Sequence, residues 1–367
     1  MIERRSLEVR LGGRRVGTLA LTPERLCAFQ YDREWLETGY SISPFNLPLV
    51  SQLFIAKPIL FDGGFGVFDD SLPDGWGRLV FDRYMRSKGE DPERLTVLQM
   101  LALIGDGGRG ALEYFPVFPE AQPQSVLTNE TFSLRAFEET ATILLRSDPV
   151  KPVDAPIDAI YKYSGSSGGA RPKVFIQIDG KEWLVKFRGH GDREIIGETE
   201  YNYSLLAKRC GIQMPETRLI EDKYFATQRF DRTPEGKVHI ISAAALLNAD
   251  YRMPSLDYIS LLNACRMLTG DMSETEALFR LMVFNVIIKN RDEHAKNFSF
   301  LFDGVRWRLA PAYDILPSAG FGGHHTTTVN GSGKPTEADV IAAAKAAGIG
   351  EKRAKKIMTE ITDICKG

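Results

Sequence analysis

The chain has 367 residues, of which 43% are hydrophobic and 26% charged, and its formal net charge is −2. This length predicts two or three domains or lobes, because one hydrophobic core seldom organises so many residues. The near balance of acidic and basic residues excludes a global field that would favour nucleic acid or an anionic membrane. The four scattered cysteines, and the lack of a signal-length or membrane-length apolar run, favour a reduced, cytoplasmic protein without a disulfide framework and without a membrane partner.

Residues 1–118 predict a small, β-rich α+β domain. Apolar and polar residues alternate over 7–20 around a Gly-Gly pair, which predicts a β-hairpin, and a third strand is expected near 26–31. The segments GRLVFDRYMRSKG and RLTVLQMLALIG have the apolar spacing of helices. Between strands and helices lies SLPDGWGR at 71–78, which is interpreted as a turn that caps the helix beginning near residue 76.

Residues 119–155 predict a connection rich in Pro, Gln and Ser that includes an amphipathic helix, FSLRAFEETATILLRS. Residues 156–233 predict a β-rich lobe, in which the strands KVFIQI and EWLVKF are joined by a DGK turn. A helix follows in ETEYNYSLLAKRCGI, with Gly211 at its end. Its expected buried positions are Ile195, Tyr201, Leu205 and Leu206. Residues 234–367 predict a mostly helical lobe.

The segment GSSGGARPK at 165–173 places three glycines directly before a predicted strand. Glycines allow backbone N–H groups to approach a phosphate that a Cβ would obstruct, although a flexible turn also fits this segment, which is not a Walker loop. Lys186 lies on the next strand, where a solvated lysine is ordinary. A protein kinase nevertheless uses this order, with a glycine-rich loop followed by a strand lysine that holds the nucleotide's phosphates. Glu198 or Glu200 on the following helix is a candidate acidic partner for that lysine.

The segment NRDEHAKN at 290–297 has the D-x-x-x-x-N spacing of a kinase catalytic loop. In such a loop Asp292 would orient and deprotonate an acceptor hydroxyl, and Asn297 would ligate Mg²⁺. Asp314, further along in LAPAYDILPS, is expected to supply a second oxygen ligand, because Mg²⁺ takes few ligands from protein. Glycine-rich loop, strand lysine, helix glutamate, Asp–Asn pair and later aspartate, in this order, together predict phosphoryl transfer.

Four other polar residues lie near these motifs. His294 is interpreted as structural support for the catalytic loop by hydrogen bonds. Lys296 is close enough in sequence to stabilise charge on the γ-phosphate, although a solvated lysine fits equally well. His324 and His325, in GFGGHHTTTVNG, are interpreted as ordinary loop residues.

Five segments make the chain resemble the HipA-like serine/threonine kinases, the toxin components of bacterial toxin–antitoxin pairs. They are SLPDGWGR, GSSGGARPK, QRFDR at 228–232, NRDEHAKNFS at 290–299 and PAYDILPS at 311–318. The resemblance implies an α+β fold in which a small β-rich N-terminal domain packs on a two-lobed protein-kinase-like core with a mostly helical C-terminal lobe. ATP and Mg²⁺ would then bind between the lobes.

The resemblance also assigns roles to individual residues. Lys186 would contact the phosphates, Asp292 would be the catalytic base, and Asn297 and Asp314 would ligate the metal. The nucleotide would further contact the loop and the segment that touches adenine, which comprise Ser166, Ser167, Gly168, Gly169, Ala170, Gln228, Arg229 and Phe230.

One loop serine is implied as an autophosphorylation site, namely Ser166, with Ser164 and Ser167 as competing positions. Phosphorylation adds about −1.5 to −2 charges where the loop must receive ATP, so it would switch the enzyme off. Arg171 and Pro172 before the loop's lysine depart from the best-known family pattern. The chain has no APE-type motif, so conventional activation-loop control is not expected.

The implied partners also come from the resemblance alone. Family members usually bind a small helix-turn-helix antitoxin, of the HipB type, that represses the shared operon, so contact with DNA would be indirect. The best studied members phosphorylate an aminoacyl-tRNA synthetase, a protein substrate whose modification halts translation.

Two other functions stay open. A small-molecule or lipid kinase can share the D-x-H-x-x-N loop, although SLPDGWGR and GSSGGARPK are not features of those families. A catalytically silent, DNA-binding co-repressor is the second, because AAAKAAGIGEKRAKKIM near the C-terminus could form a helix-turn-helix. Its basic residues, which also fit a solvated helix face, are Lys345, Lys352, Arg353, Lys355 and Lys356.

Overall fold

The structure is a computed structural model that describes residues 5–118, 133–153, 155–165 and 168–366. The chain divides into two compact units, of which the first comprises Met1–Glu198 and Arg218–His239 and the second Thr199–Thr217 and Ile240–Gly367. Most of the predicted connection before residue 133 lies outside the described residues, as do Ser166 and Ser167. The domain boundaries expected from the sequence stay predictions.

The first unit begins with a five-stranded antiparallel sheet. Its strands are β1 (Ser6–Leu11), β2 (Arg14–Leu21), β3 (Cys27–Tyr31), β4 (Phe54–Ile55) and β5 (Leu112–Phe115), and they lie in the order β4-β3-β2-β1-β5. Gly12 and Gly13 join β1 to β2 with φ of 56° and 76°, as the tight hairpin turn requires. The predicted hairpin and third strand are therefore confirmed.

Among the described residues of the first unit, six α-helices follow these strands or lie between them. They are α1 (Arg33–Thr38), α2 (Gly66–Asp69), α3 (Gly75–Ser87), α4 (Val97–Ile104), α5 (Leu134–Arg146) and α6 (Ile157–Ser164). A capping box between Thr96 and Gln99 begins α4. Tyr84 of α3 stacks on Tyr161 of α6 with ring centroids 4.3 Å apart, so α6 brings the start of the glycine-rich segment next to α3.

A second sheet of the first unit carries the predicted strand lysine. Its strands are β6 (Lys173–Ile178), β7 (Lys181–Lys186), β8 (Thr217–Ile220) and β9 (Tyr224–Gln228), in the order β6-β7-β9-β8, and a short hairpin follows in β10 (Arg232–Thr233) and β11 (Gly236–Lys237). Asp179 and Gly180 have φ of 53° and 74°, which is typical of the two-residue Asp-Gly turn. This turn sets the pairing of β6 with β7.

Helix α7 (Ile196–Arg209) lies between the two sheet hairpins in sequence. Gly211, with φ of 73°, ends it in a Schellman motif, in which the N–H of Ile212 donates to the Ala207 carbonyl, so that prediction is confirmed. The expected buried face is wrong at Ile195, which is 58% exposed, and at Leu205, which is 39% exposed, whereas Tyr201 and Leu206 are half-buried. Ala207 and Ser204 are buried instead, the latter because its hydroxyl pairs with Thr217 Oγ1 at 2.9 Å.

The second unit is mostly helical, as expected. Its helices after α7 are α8 (Ala243–Leu247), α9 (Tyr258–Thr269), α10 (Met272–Ile288), α11 (Glu337–Ala346) and α12 (Glu351–Lys366). Its strands are β12 (Ile240–Ser242), β13 (Leu256–Asp257), β14 (Ser299–Phe302), β15 (Trp307–Leu309) and β16 (Thr327–Thr328), with β12-β14-β15 forming one sheet and β13-β16 a parallel pair. Among the described helices, none combines the length and apolarity needed to cross a bilayer.

Candidate active site

The described part of the glycine-rich loop, residues 165 and 168–173, contacts the turn that precedes α3 in the first unit. The N–H of Gly169 donates to Asp74 Oδ1 at 2.5 Å, and its carbonyl accepts from the N–H of Trp76 at 2.8 Å. Within the described part of the chain, the Asp74 side chain makes no capping bond to α3. Asp74 is the N-cap residue of α3, so the predicted turn at the start of this helix is confirmed, but the Asp74 side chain binds the loop instead of the helix.

The residues at the start of the loop differ in accessibility. Ser164 is fully buried, and its hydroxyl accepts a hydrogen bond from Trp76 Nε1 at 3.1 Å. Gly168 and Ala170 are exposed. Ser166 and Ser167 lie outside the described residues.

Two buried lysines face each other beside the loop. Lys173 of β6 and Lys186 of β7 are direct cross-strand partners, so both side chains lie on one face of the sheet. Lys186 Nζ lies 5.5 Å from the centroid of the Phe225 ring. The Lys173 ammonium donates to the Gly168 carbonyl. Lys173 was not singled out from the sequence, although the Asp-Gly turn fixes the register that pairs it with Lys186.

The segment predicted to touch adenine begins at the end of β9. The N–H of Arg229 donates to the Glu182 carbonyl at 2.9 Å, so this backbone group extends the pairing between β9 and β7. The Arg229 guanidinium lies 4.5 Å from the Phe175 ring centroid and donates to Asp231 at 2.8 Å. Arg229 thus stabilises the sheet. Gln228 and Phe230 are both half-buried, and their contact with adenine stays a prediction.

Buried charges anchor the same segment to the N-terminal part of the unit. Asp231 accepts from the N–H of Gly110 at 2.9 Å, and Arg232 donates to the carbonyls of Gly108 at 3.0 Å and Gly110 at 2.8 Å. Burial alone would raise the pKa of Asp231, but Arg229 and Arg232 outweigh it and hold this pKa below its ordinary value. The carboxylate is therefore ionised within its network.

The predicted catalytic loop, residues 292–297, lies in the second unit and closes on itself. The carbonyl of Asp292 accepts from Asn297 Nδ2 at 2.8 Å and from the N–H of His294 at 2.9 Å. The N–H of Asn297 donates to the His294 carbonyl at 2.8 Å. The hydrogen bonds by which His294 supports the loop therefore come from its backbone. The Asp292 side chain is exposed at one end of the turn, and Asn297 lies at the other end.

Asp314 is joined to this loop through its neighbour. The Tyr313 hydroxyl donates to the carbonyl of Lys296 at 2.7 Å and lies 2.6 Å from Ser299 Oγ. Asp314 itself has a φ of 58°, a left-handed conformation that aspartate tolerates better than most residues and that is found at functional sites. The residue before Asp314 is thus bonded to the loop that carries Asp292.

Lys296 is buried, in contrast to the solvated alternative. Its Nζ lies 4.0 Å from the centroid of the Tyr251 ring, a cation–π contact. Of the two candidate glutamates, Glu200 is buried and Glu198 is exposed. Burial thus favours Glu200 over Glu198 as the candidate for a supporting role, which stays a prediction.

A buried pair that the sequence pattern did not indicate holds the loop from the other side. His325 Nδ1 and Glu293 Oε1 form a short contact, and both side chains are buried. Burial raises the pKa of Glu293, and the bond to His325 partly opposes this. Thr327 Oγ1 donates to the Glu293 carbonyl, and Thr326 Oγ1 to that of Arg291 at 2.7 Å. The interpretation of His325 as an ordinary loop residue is wrong.

The basic residues near the C-terminus lie beside carboxylates. Lys345 and Lys355 contact Glu351 at 2.9 Å and 2.8 Å, and Arg353 contacts Glu276 at 2.8 Å. Such pairing is typical of a solvated helix face and reduces the charge available for phosphates of DNA. In the residues that the structure describes, no group of three or more His, Cys, Asp or Glu side chains is arranged to hold a metal ion.

Comparison with protein families gives two matches that together span most of the chain. Residues 165–366, more than half of it, match the HipA-like C-terminal domain, and residues 7–115 match the HipA N-terminal domain. The structure is also similar to a chain of the solved Shewanella oneidensis MR-1 toxin–antitoxin complex of HipA, HipB and operator DNA, with a TM-score of 0.70 and 18% identity over 98% of this chain and 90% of that one. This match confirms the predicted fold class.

Two proteins of Sinorhizobium fredii (strain NBRC 101917 / NGR234) are similar in sequence. The one named "Putative kinase Y4mE" is 26% identical over 86% of this chain and 78% of its own length. The one named "Putative kinase Y4dM" is 30% identical over 37% of each chain, so the match spans little more than a third of that relative.

Proposed function

The chain belongs to the HipA family, and from this premise we propose that it is a protein kinase that transfers the γ-phosphoryl group of ATP to a serine or threonine hydroxyl. The observation that best supports this proposal is the closed turn from Asp292 to Asn297. It presents an exposed carboxylate at one end and a half-buried amide at the other, while its backbone is held by hydrogen bonds. A carboxylate carried by a turn with a fixed backbone suits a base that must meet a substrate hydroxyl.

Asp292 would accept the proton of the acceptor hydroxyl as that oxygen bonds to the γ-phosphorus. The bond between the γ-phosphorus and the β–γ bridging oxygen breaks, ADP leaves with the electron pair, and the proton passes from the carboxylic acid to water. Such base catalysis contributes about 10² to 10⁴ in rate.

Asn297 and Asp314 fit Mg²⁺ as ligands. Both offer oxygen atoms, and the bond that Asn297 makes to the Asp292 carbonyl uses its amide nitrogen, which leaves its oxygen as the ligand atom. Mg²⁺ takes one or two protein ligands and completes its shell with phosphates and water, so a two-residue set is sufficient. When bound, the metal would neutralise charge on the β- and γ-phosphates.

Lys186 is proposed to hold the phosphates, with Lys173 beside it. Two ammonium groups on one face of the sheet can both donate charge-assisted hydrogen bonds to a polyphosphate. Lys296, fixed over Tyr251, is proposed to stabilise charge during transfer, and Glu200 to support the lysine of β7. The adenine would lie against the segment from Gln228 to Phe230.

Ser166 is proposed as the autophosphorylation site. Ser164 is a poor acceptor because it is buried and its hydroxyl already accepts a bond from Trp76. A phosphate on the loop would repel the phosphates of ATP and inactivate the enzyme. By analogy with HipA of the Shewanella complex, a HipB-type antitoxin is the proposed partner, and DNA would be reached through it. A translation-related protein, such as an aminoacyl-tRNA synthetase, is the proposed substrate class.

The test compares Asp292→Gln with Asp363→Gln, which changes an exposed carboxylate on α12. Both variants are incubated with labelled ATP, Mg²⁺ and bacterial lysate. Asp292→Gln should reduce autophosphorylation and substrate labelling by about 10² to 10⁴, with an unchanged unfolding transition, whereas Asp363→Gln should match wild type. Label at the wild-type rate in Asp292→Gln would exclude its role as base. Label confined to metabolites or lipids would identify a small-molecule or lipid kinase instead.

A further inference from the structure

The turn before α3 binds the glycine-rich loop through backbone and side chain together. We call Asp74, Gly75 and Trp76 the DGW turn. Both backbone groups of Gly169 are used, since its N–H donates to Asp74 Oδ1 at 2.5 Å and its carbonyl accepts from the N–H of Trp76 at 2.8 Å. Trp76 adds a third bond, from its indole to the buried hydroxyl of Ser164. The N-terminal part of the chain therefore holds the loop at its glycine and at its base.

The approach is so close that only glycine fits on the turn. A Cβ added to Gly75 would lie 2.3 Å from the Gly169 carbonyl oxygen and 2.5 Å from its carbon, both of which are backbone atoms that cannot rotate away. A Cβ on Gly168 would lie 2.7 Å from Asp74 Oδ1. Glycines on both sides thus permit a contact that side chains would prevent.

We propose that the DGW turn positions the glycine-rich loop for ATP, which makes Asp74 and Gly75 positioning residues of the nucleotide site. The inference rests on the proposed kinase function. Gly169 is fixed at both backbone groups, so this part of the loop loses little conformational freedom when phosphates bind to it. Without these bonds Gly169 must be fixed by ATP itself, and the affinity falls.

The main test is Gly75→Ala against Gly89→Ala. Gly89 follows the other end of α3 and also has a positive φ, 79° against 50° at Gly75, but no atom lies within 4 Å of its added Cβ. The two variants therefore share backbone strain and differ in the collision with the loop. Titration with a fluorescent ATP analogue and Mg²⁺ should show a Kd about tenfold to a hundredfold higher for Gly75→Ala, the cost of ordering a few loop residues. Gly89→Ala should bind like wild type.

A second pair of variants keeps the inference testable if Gly75→Ala does not fold. Asp74→Ala removes the acceptor for the Gly169 N–H, whereas Asp74→Asn retains an oxygen in the same place. Asp74→Ala should weaken binding of the analogue and speed hydrogen exchange at the Gly169 amide, with an unchanged unfolding midpoint. Asp74→Asn should restore both values toward wild type.

Two outcomes overturn the inference while leaving the proposed function standing. Either Gly75→Ala and Asp74→Ala bind the analogue as wild type does, or they bind it more tightly, which would mean that the turn holds the loop away from ATP. Failure of wild type to bind the analogue would instead contradict the proposed function. In that case, hydrogen exchange at the Gly169 amide would still show whether Asp74 binds the loop.

Discussion

His239 should make the stability of this protein depend on pH between about 6.5 and 4. The residue lies in the first unit, its side chain is 3% exposed, and its Nε2 is 2.9 Å from the Ile42 carbonyl, to which it donates. Burial lowers the pKa of His239 from 6.5 to about 4, and the bond to Ile42 only partly opposes this. The imidazole is therefore neutral in the folded protein and becomes charged more readily when the chain unfolds.

The sign and size of the effect follow from these two pKa values. As the pH falls below 6.5 the unfolded chain binds a proton that the folded protein does not bind until about pH 4. The contribution to stability is therefore complete above pH 6.5 and is lost as the pH falls toward 4. At about 1.4 kcal/mol per pH unit, the loss is about 2 kcal/mol at pH 5 and about 3 kcal/mol at pH 4.

Urea unfolding at pH 7.5 and pH 5 measures this loss in wild type and in His239→Gln. Glutamine can still donate to Ile42 but does not titrate, so the wild-type free energy of unfolding should fall by about 2 kcal/mol more than that of the variant. His190→Gln, at an exposed histidine, serves as the control and should behave like wild type. Equal pH dependence in wild type and His239→Gln would refute the reasoning.

Two further predictions concern the second unit. Asp314→Ala and Asp314→Asn should both abolish phosphoryl transfer. In urea unfolding, the alanine variant should be less stable than the asparagine variant by about 1 kcal/mol, because alanine tolerates a φ of 58° less well. Equal stabilities of the two variants would argue against the left-handed conformation. His325→Phe leaves the buried Glu293 without its partner and should lower stability by about 3 kcal/mol or more, whereas adding Glu293→Gln should recover part of the loss in thermal unfolding. No recovery in the double variant would show that the pair is not coupled.

Much of the local structure was predictable because it depends on residues close in sequence. The Asp-Gly turn at 179–180 determines the pairing of β6 with β7 and so places Lys173 opposite Lys186. The D-x-x-x-x-N spacing reflects one closed turn, in which Asn297 bonds the Asp292 carbonyl. These relations need only turn geometry and a hydrogen bond within a few residues.

The sequence pattern was less reliable where burial depends on packing partners. On α7 the leucine at 205 is exposed and the serine at 204 is buried, because Thr217 accepts or donates a bond to that serine. Apolar periodicity ranks residues by their own hydrophobicity. It cannot include a hydrogen-bond partner from another element, such as Thr217 on β8. The same limit applies to the charges of Asp231 and Arg232, which bond the backbone of Gly108 and Gly110.

By itself, the sequence determined the order of strands and helices and the family motifs, and it predicted candidate residues for phosphoryl transfer, because each of these depends on spacing and residue type over short stretches. Only the tertiary structure showed that His325 holds Glu293 of the catalytic loop and that Asp74 binds Gly169. Both contacts join segments far apart in the chain. Such contacts form only after the intervening elements have packed, so turn geometry and apolar periodicity cannot predict them.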